Sequence, residues 1–506
     1  MTEINRRDVL KIAASLSLGM VGAPFVRFIE AGQKQAAGRK NVLLVVFDAF
    51  SARHISLYGY DRLTTPNLSR LAEKAIVYHN HYAGGNFTTP ATASLLTGTL
   101  PWKHRAFGFF RDVSAAFADK NIFHAFDDYF RVAYSHNPLA VKLLEQFSNG
   151  LDNLLPFEKF LLTNDAAVDR LFANDRDAAS VAWSRTVKQE EDYSYSLLLS
   201  GLYKRYQSGK IEDLKAQFPR GLPSVNTDNY FTLEMFIDWL KVNIENFPSP
   251  FLGYFHLMPP HYPYAPPLEF YNEFHADHFS PAAKPEDVFT EGTSPELTLR
   301  RRQQYDEFIL YVDREFGRLF DHLESSGLLE DTWVVLTSDH GELFERGIVG
   351  HVTPVLYESV VRIPLMIFEP GRSERLDIHS KTSAVDMLPT LLHVTGGQPV
   401  DWADGVVLPP FSRRGEADEN IHVIQAKDNA SDAPLTQFTV TSIRENYKLI
   451  YFQGYAELEG RERIELYNLE LDPEELENIY SPDSVIGKSM LEELKFKLNE
   501  INKPYL

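Results

Sequence analysis

Apolar residues run unbroken from Val42 to Phe47 and stop at Asp48. A run without polar alternation suits a strand covered on both faces, as inside a parallel sheet. Similar runs recur at 132–134, 251–257, 333–336 and 363–368. Helical patterns lie between them. Thr65-Pro66-Asn67-Leu68 opens one, with Thr65 as N-cap and Pro66 at the first helical position, and Leu68, Leu71, Ala72 and Ala75 follow at helical spacing. Thr89-Pro90 repeats the opening ahead of Ala93, Leu95 and Leu96, and 305–323 carries a longer helical pattern. Strands alternating with helices predict an α/β core with a mostly parallel sheet.

Two stretches depart from this rhythm. Residues 139–247 are too many for a plain crossover and include polar, helix-prone segments such as 190–208. They read as an insertion over the sheet's edge that shapes the substrate entrance. From about residue 400 the pattern changes again. Residues 438–442 and 447–452 alternate like exposed antiparallel strands, and 490–501 reads as a closing helix. A smaller α+β unit over 401–506 is expected behind a catalytic unit over 40–400.

Composition narrows the function. The chain has 506 residues, 44% hydrophobic and 24% charged, which is globular and excludes wholesale disorder. Seventy acidic against 50 basic residues give a formal net charge of −20. Nucleic acid is therefore not the expected partner, because phosphate-backbone binding needs a net basic face. A small anionic substrate remains compatible, since one metal or a few cations reverse the field inside a pocket. There is no cysteine, hence no disulfide, thiolate ligand or cysteine nucleophile.

Residues 1–39 read as an address and linker. Arg6-Arg7 precedes a moderately apolar Ala/Gly/Ser-rich run from Ile12 to Ala23, in the order of a twin-arginine export signal. The run is short for a spanning helix, which needs about 20 residues. The expectation is export, by the corresponding machinery, to the periplasm or cell envelope; an uncleaved segment would anchor the protein there.

Candidate chemistry collects at strand ends. Asp48 closes the first apolar run, and Asp339-His340 follows Leu336-Thr337-Ser338. Ligand sites in open α/β sheets lie beyond the carboxyl ends of strands. Two carboxylates and an imidazole there would hold one divalent cation, Mn or Zn by preference and Mg or Ca also compatible. Singly, each acid would read as a turn or cap; together they are more informative. Thr88 precedes the Thr89-Pro90 helix start, where unpaired N–H groups favour a tetrahedral anion. Alone it would be a capping residue; beside a metal its hydroxyl could ionise and attack. His261, in a Pro-rich loop after 251–257, and His351, in a Gly-bounded loop after Asp339-His340, are candidates to stabilise the transferring group or protonate a leaving oxygen. His136 and Asn137, after 132–134, are weaker candidates for binding substrate. His79, His81, His104 and His256 read as surface or core.

These residues resemble the sulfatase family of the alkaline phosphatase superfamily. The resemblance covers most of 41–400, through Asn41–Asp48, Tyr58-Gly59-Tyr60, Thr65-Pro66-Asn67-Leu68, Thr88-Thr89-Pro90-Ala91-Thr92-Ala93-Ser94-Leu95-Leu96-Thr97-Gly98, His261-Tyr262-Pro263-Tyr264, Ser338-Asp339-His340-Gly341-Glu342, Tyr357-Glu358 and Arg362-Ile363-Pro364, and continues in a tail from Glu465 to Glu475. It implies an alkaline-phosphatase/sulfatase-like, mostly parallel sheet sandwiched by helices. It also implies metal ligation by Asp48, Asp339 and His340, with Thr88 as nucleophile and further ligand.

The departures matter too. Sulfatases carry Cys or Ser at the Thr88 position and convert it to formylglycine, a route threonine cannot follow. The motif arginine is Thr92, and the second acid of the family's Asp-Asp pair is Ala49. The Asn that follows the late Asp in many sulfatases is His340. The pattern is similar to the threonine-nucleophile branch, which includes phosphoglycerol and phosphoethanolamine transferases, and at His340 to phosphonate monoester hydrolases. It implies a phosphate (di)ester hydrolase or transferase that forms a phospho-threonine. The substrate would be a phospho- or sulfo-ester, with an exported glycan or lipid head group fitting the address. The alternatives are a sulfuric-ester hydrolase without formylglycine and a non-catalytic envelope binding protein.

Overall fold

The computed structural model describes residues 38–162, 205, 208–209, 211–226, 229–412 and 420–506. The segment expected to be an export signal lies outside the described residues, as does the middle of the 139–247 insertion (163–204, 206–207, 210 and 227–228), which takes in nearly all of the helix-prone stretch 190–208. Among the described residues no helix is long and apolar enough to cross a membrane.

The described residues supply fourteen strands: β1 (Asn41–Phe47), β2 (Ile76–Tyr82), β3 (Phe130–Ser135), β4 (Asn153–Leu154), β5 (Phe251–Leu257), β6 (Thr332–Ser338), β7 (Leu343–Glu345), β8 (Ile348–Gly350), β9 (Arg362–Phe368), β10 (Leu376–Ser383), β11 (Ile421–Gln425), β12 (Phe438–Arg444), β13 (Tyr447–Gln453) and β14 (Glu462–Asn468). Eight form one sheet in the order β10-β2-β9-β6-β1-β5-β3-β4. Only β9 runs against its neighbours. The expected mostly parallel α/β sheet is therefore what the chain forms.

β1 is central, and its alternate residues feed two cores. Leu43, Val45 and Phe47 pack on one face with Phe308, Val312, Phe316 and Leu319 from the helix Pro295–Ser325. Val42, Leu44 and Val46 pack on the other with Ala93, Leu95 and Leu96 from the helix Thr88–Thr97. Burial on both faces explains the unbroken apolar runs. The Pro295–Ser325 helix starts ten residues before the apolar pattern does, because Ser294 caps it by accepting from Leu297 N–H at 3.3 Å.

Thr65 is the N-cap of the helix Pro66–Leu71 by position only; its hydroxyl bonds Ser56 Oγ at 2.9 Å. The carboxylate that satisfies the helix start comes from far along the chain. Asp313 accepts from Asn67 N–H and Leu68 N–H, each at 2.8 Å.

The second sheet, β11-β12-β13-β14, is antiparallel throughout. The strands expected to be exposed are buried on both faces. Val440, Leu449 and Leu466 pack under Met490, Leu491, Leu494 and Leu498 of the helix Val485–Asn502. Ile443, Ile450 and Phe452 face Val355, Leu356 and Val360 of the catalytic unit. The polar alternates misled the reading because some pair internally. Lys448 is fully buried, 3.0 Å from Glu358 and 2.7 Å from Glu475.

Candidate active site

Register brings the acids together. Phe47 aligns with Leu257 on β5 and with Ser338 on β6, so Asp48 and Asp339 emerge side by side where the strands end. Asp48 N–H is held by Leu257 O at 2.9 Å. The next residue, Ala49, turns with φ 57°, a left-handed conformation uncommon for a residue with a Cβ. That turn aims Ala49 N–H at Asp339 Oδ1 (3.3 Å), which also accepts from His340 N–H (2.9 Å). Gly341 follows where a Cβ would lie 2.2 Å from Ser359 O, so only glycine fits.

Asp48, Asp339 and His340 are fully or almost fully buried, and they offer ligand atoms within 4.8 Å of one another. His340 Nδ1–H donates to Gly341 O at 2.9 Å, leaving the Nε2 lone pair toward the acids, 3.4 Å from Asp48 Oδ1 and 3.4 Å from Asp339 Oδ2. Asp48 Oδ1 and Asp339 Oδ2 have no hydrogen-bond partner among the described residues. Two orphaned carboxylate oxygens and a free imidazole lone pair converging in a buried space fit a divalent cation. The electrostatics agree. Burial and the neighbouring Asp48 charge push the Asp339 carboxyl up, and burial pushes the His340 imidazole down, toward its neutral, ligating form. Burial also works against the Asp48 charge, but His261, His256 and His340 outweigh it and hold that carboxyl low.

Thr88 is the first residue of its helix, whose N-cap is Phe87. Its hydroxyl faces the acids. Asn137 Nδ2 donates both to Thr88 Oγ1 (3.0 Å) and to Asp48 Oδ2, and His340 Nε2 lies 3.5 Å from the same hydroxyl. Asn137 is fixed because its Oδ1 caps the helix Pro138–Gln146 through Leu139 N–H at 2.8 Å. Its neighbour His136 lies against an aromatic ring. The ring stacks on Phe231 at 4.3 Å, burial depresses it to about 3, and neither nitrogen finds a partner among the described residues.

His351 and His261 stand beside the acids, with ring centroids 5.0 Å apart, and His351 lies 4.2 Å from the His340 ring. His351 Nδ1 lies 2.9 Å from Glu342 Oε1, while His261 Nδ1–H donates to Tyr262 O at 2.6 Å. Asn86 Nδ2 ties the His351 loop to the Thr88 segment, donating to His351 O (2.7 Å) and Thr353 O (2.9 Å).

Sequence reasoning missed two members. His256, read as surface or core, is fully buried with Nε2 3.3 Å from Asp48 Oδ2 and 3.7 Å from Asp339 Oδ2. Burial opposes its charge, but Asp339 and Asp48 hold the imidazole up. A histidine one position from the end of an otherwise apolar buried strand was the available signal. Glu342 was quoted within a motif but given no role. His81 and His104 are core residues: His104 accepts from Ala106 N–H at 3.1 Å and contacts Ser94 Oγ at 3.1 Å.

A parallel sheet with a buried acid–imidazole cluster at its carboxyl edge, next to a hydroxyl at a helix start, is an arrangement that fits a metal site beside a nucleophile. The sequence matches the sulfatase family over residues 40–397 and the N-sulphoglucosamine sulphohydrolase C-terminal family over 353–504. The chain belongs to the sulfatase family of the alkaline phosphatase superfamily, whose members hydrolyse sulfate or phosphate esters. It is 27% identical to choline-sulfatase of Rhizobium meliloti (strain 1021), over 87% of this chain and 82% of that protein. It is 24% identical to the multifunctional alkaline phosphatase superfamily protein PehA of Trinickia caryophylli, over 87% and 91%. In structure it is similar to the phosphonate monoester hydrolase of Agrobacterium radiobacter (TM-score 0.64, 19% identity, 92% of this chain and 96% of that one). That of Silicibacter pomeroyi is similar too (TM-score 0.66, 18% identity, 92% and 96%). The structural likeness carries the fold.

Proposed function

We propose that the protein hydrolyses or transfers phosphate (di)esters through Thr88, with one divalent cation held by Asp48, Asp339, His340 and Thr88 Oγ1. The carrying observation is the Thr88 hydroxyl, free of any capping bond and held by Asn137 within 3.5 Å of His340 Nε2. A cation bound there would lower the pKa of that hydroxyl and neutralise charge on the reacting oxygens.

The chain's own groups do the rest. Asn137 Nδ2–H orients Thr88 Oγ1, which gives up its proton to solvent and attacks phosphorus in line. The Thr88 Oγ1–P bond forms and the bond to the leaving alcohol breaks. In its imidazolium form His351, oriented by Glu342, gives the alcohol oxygen its proton from Nε2. His261 stabilises the transferring group. Water or an acceptor hydroxyl then attacks the phospho-threonine, passing its proton to His351 Nε2; the Thr88 Oγ1–P bond breaks and Thr88 Oγ1 regains a proton from solvent.

A sulfate ester handled by the same unmodified threonine is the rival reading, favoured by the likeness to choline-sulfatase. Initial rates on an aryl phosphodiester and an aryl sulfate, for metal-loaded wild type and Thr88→Ala, separate the two. A phosphodiester rate lost in the variant supports the proposal, a sulfate rate lost in the variant supports the rival, and a phosphodiester rate that survives in Thr88→Ala overturns the nucleophile assignment. Export to the envelope belongs to the same proposal and rests on Arg6-Arg7 and the apolar run after it. Full-length protein beginning at Met1 in a cytosolic fraction would count against it.

A further inference from the structure

A cavity of about 480 Å³ is lined by His261, His351 and Glu342 and by none of Asp48, Thr88, Asp339 and His340. Its volume lies in the range of small-molecule pockets, and its floor includes the histidine assigned to protonate the leaving oxygen. His351 joins it to the acid cluster, its ring 4.2 Å from that of His340, so the cavity adjoins the place of an ester seated at Thr88.

The walls are largely apolar. Leu297, Val349 and Val352 line it, and Leu297 and Val352 are exposed, 41% and 37%, without apolar cover. Its charge is set by Arg301. That guanidinium is half-buried, lies over the Tyr262 ring at 5.3 Å, and has no carboxylate partner among the described residues. The acids of the cavity do not cancel it. Glu342 has both oxygens engaged, by His351 at 2.9 Å and by Tyr264 O–H at 3.1 Å. Glu291 is exposed at the rim, where water screens it. A pinned, unpaired guanidinium above apolar walls attracts an anion on an apolar body and repels a cation.

We propose that this cavity receives the alcohol portion of the ester, and that it selects an apolar, aryl-sized group bearing a carboxylate or similar small anion, captured by Arg301. The assignment of that portion as the leaving group rests on the threonine reading above; the ligand class rests on the cavity itself. A quaternary ammonium alcohol would be disfavoured, which sets this chain apart from what the name choline-sulfatase says of that relative.

Calorimetric titration of the full chain with 4-hydroxybenzoate, phenol and 4-hydroxyphenyltrimethylammonium tests the ligand class without turnover. The benzoate is expected to bind about tenfold tighter than phenol, with the ammonium weakest. Arg301→Gln should bring the benzoate to the level of phenol, Arg301→Lys should keep part of the preference, and Leu297→Asp should weaken the benzoate. Equal binding of the three, tightest binding of the ammonium, or an unchanged preference in Arg301→Gln would overturn the proposal. Turnover of the matching methyl aryl phosphodiesters is read in parallel. No turnover with the binding preference intact would fault the phosphodiester reading and leave the ligand class standing. Turnover without preference in binding or kcat/KM would fault the cavity and leave the reaction standing.

Discussion

Glu342 and His351 form a buried pair, with Oε1 of the acid 2.9 Å from Nδ1 of the imidazole and Tyr264 O–H donating to Oε2 at 3.1 Å. Burial opposes the charge on Glu342, but attraction and hydrogen bonding from His351, with His261 and His340 beyond, outweigh it and hold the carboxyl low. The pair fixes the ring through Nδ1, and the proposed mechanism uses the other nitrogen, Nε2, on the substrate. Glu342→Gln keeps the shape and removes the charge, so it should lower kcat about 10–100-fold while KM changes little. Steady-state kinetics with Tyr264→Phe as a milder companion would check it; a pure KM effect would show that Glu342 serves binding.

Thr88 should be the most sensitive position of the site. Thr88→Ala removes the attacking oxygen, whereas losing one acid–base histidine costs typically about 10²–10⁴-fold, so the alanine variant should fall below both His351→Ala and His261→Ala. Thr88→Ser keeps a hydroxyl in the bond from Asn137 and should retain much of the rate. Mass spectrometry of acid-quenched enzyme should find the added phosphoryl group on the peptide containing Thr88 in wild type and none in Thr88→Ala.

Metal content should be one equivalent per chain, because one buried cluster of this kind is found among the described residues. Without metal, Asp48 and Asp339 repel one another inside the protein, and adding a divalent cation should raise Tm by mass action. Asp339→Asn removes the repulsion and a ligand together. Its metal-free form should melt above metal-free wild type, and added cation should no longer raise its Tm. Thermal scans with and without chelator, alongside elemental analysis, decide this.

The legible part of the site was the part written at strand ends. Asp48, Asp339 and His340 follow apolar runs and Thr88 stands at a Thr-Pro helix start; none stood out singly, but the set together, with the sulfatase resemblance, marked them as candidates. His256 was hidden because its meaning comes from register. It reaches Asp48 only because β5 lies beside β1 with Val46 opposite it. The same limit applies to the Pro66–Leu71 helix, where Thr65 was locally the obvious cap but Asp313, some 245 residues away, takes the N–H groups. In the C-terminal sheet, alternation at Lys448 suggested a wet face, and long-range pairing with Glu358 and Glu475 made it dry. His136 lies just after β3, as its place in the sequence suggests, and its ring is stacked on Phe231, a partner nearly a hundred residues away that no local pattern shows.

Asp313 gives a pH test away from the site. Burial raises its carboxyl to about 6, against the bonds it accepts from Leu68 and Asn67. Between about pH 4 and pH 6 the folded protein therefore binds more protons here than the unfolded chain, so this group's contribution to stability falls as pH rises through that window and is constant above it. The loss is on the order of 3 kcal/mol. Asp313→Asn cannot titrate. Its stability relative to wild type should rise as pH goes from 4 to 6, read as the difference between urea unfolding curves; a difference independent of pH would refute the assignment.

Lys448 tests how the C-terminal sheet is fastened to the catalytic unit. Its ammonium is fully buried on β13 and reaches Glu358, just before β9, and Glu475, after β14. Burial would push the ammonium toward neutrality, but the two carboxylates hold its pKa above the ordinary lysine value. Glu475 is itself committed, since Oε2 accepts from Glu358 N–H at 2.8 Å. Lys448→Ala removes the one cation both buried carboxylates contact, leaving only Arg362 and Arg53 acting on Glu358, and should cost about 3–5 kcal/mol. The triple variant Lys448→Met, Glu358→Gln, Glu475→Gln removes all three charges, keeps an oxygen for Glu358 N–H, and should recover most of that loss. If the triple variant is no more stable than Lys448→Ala in urea, packing at this position, and not charge compensation, is what Lys448 provides.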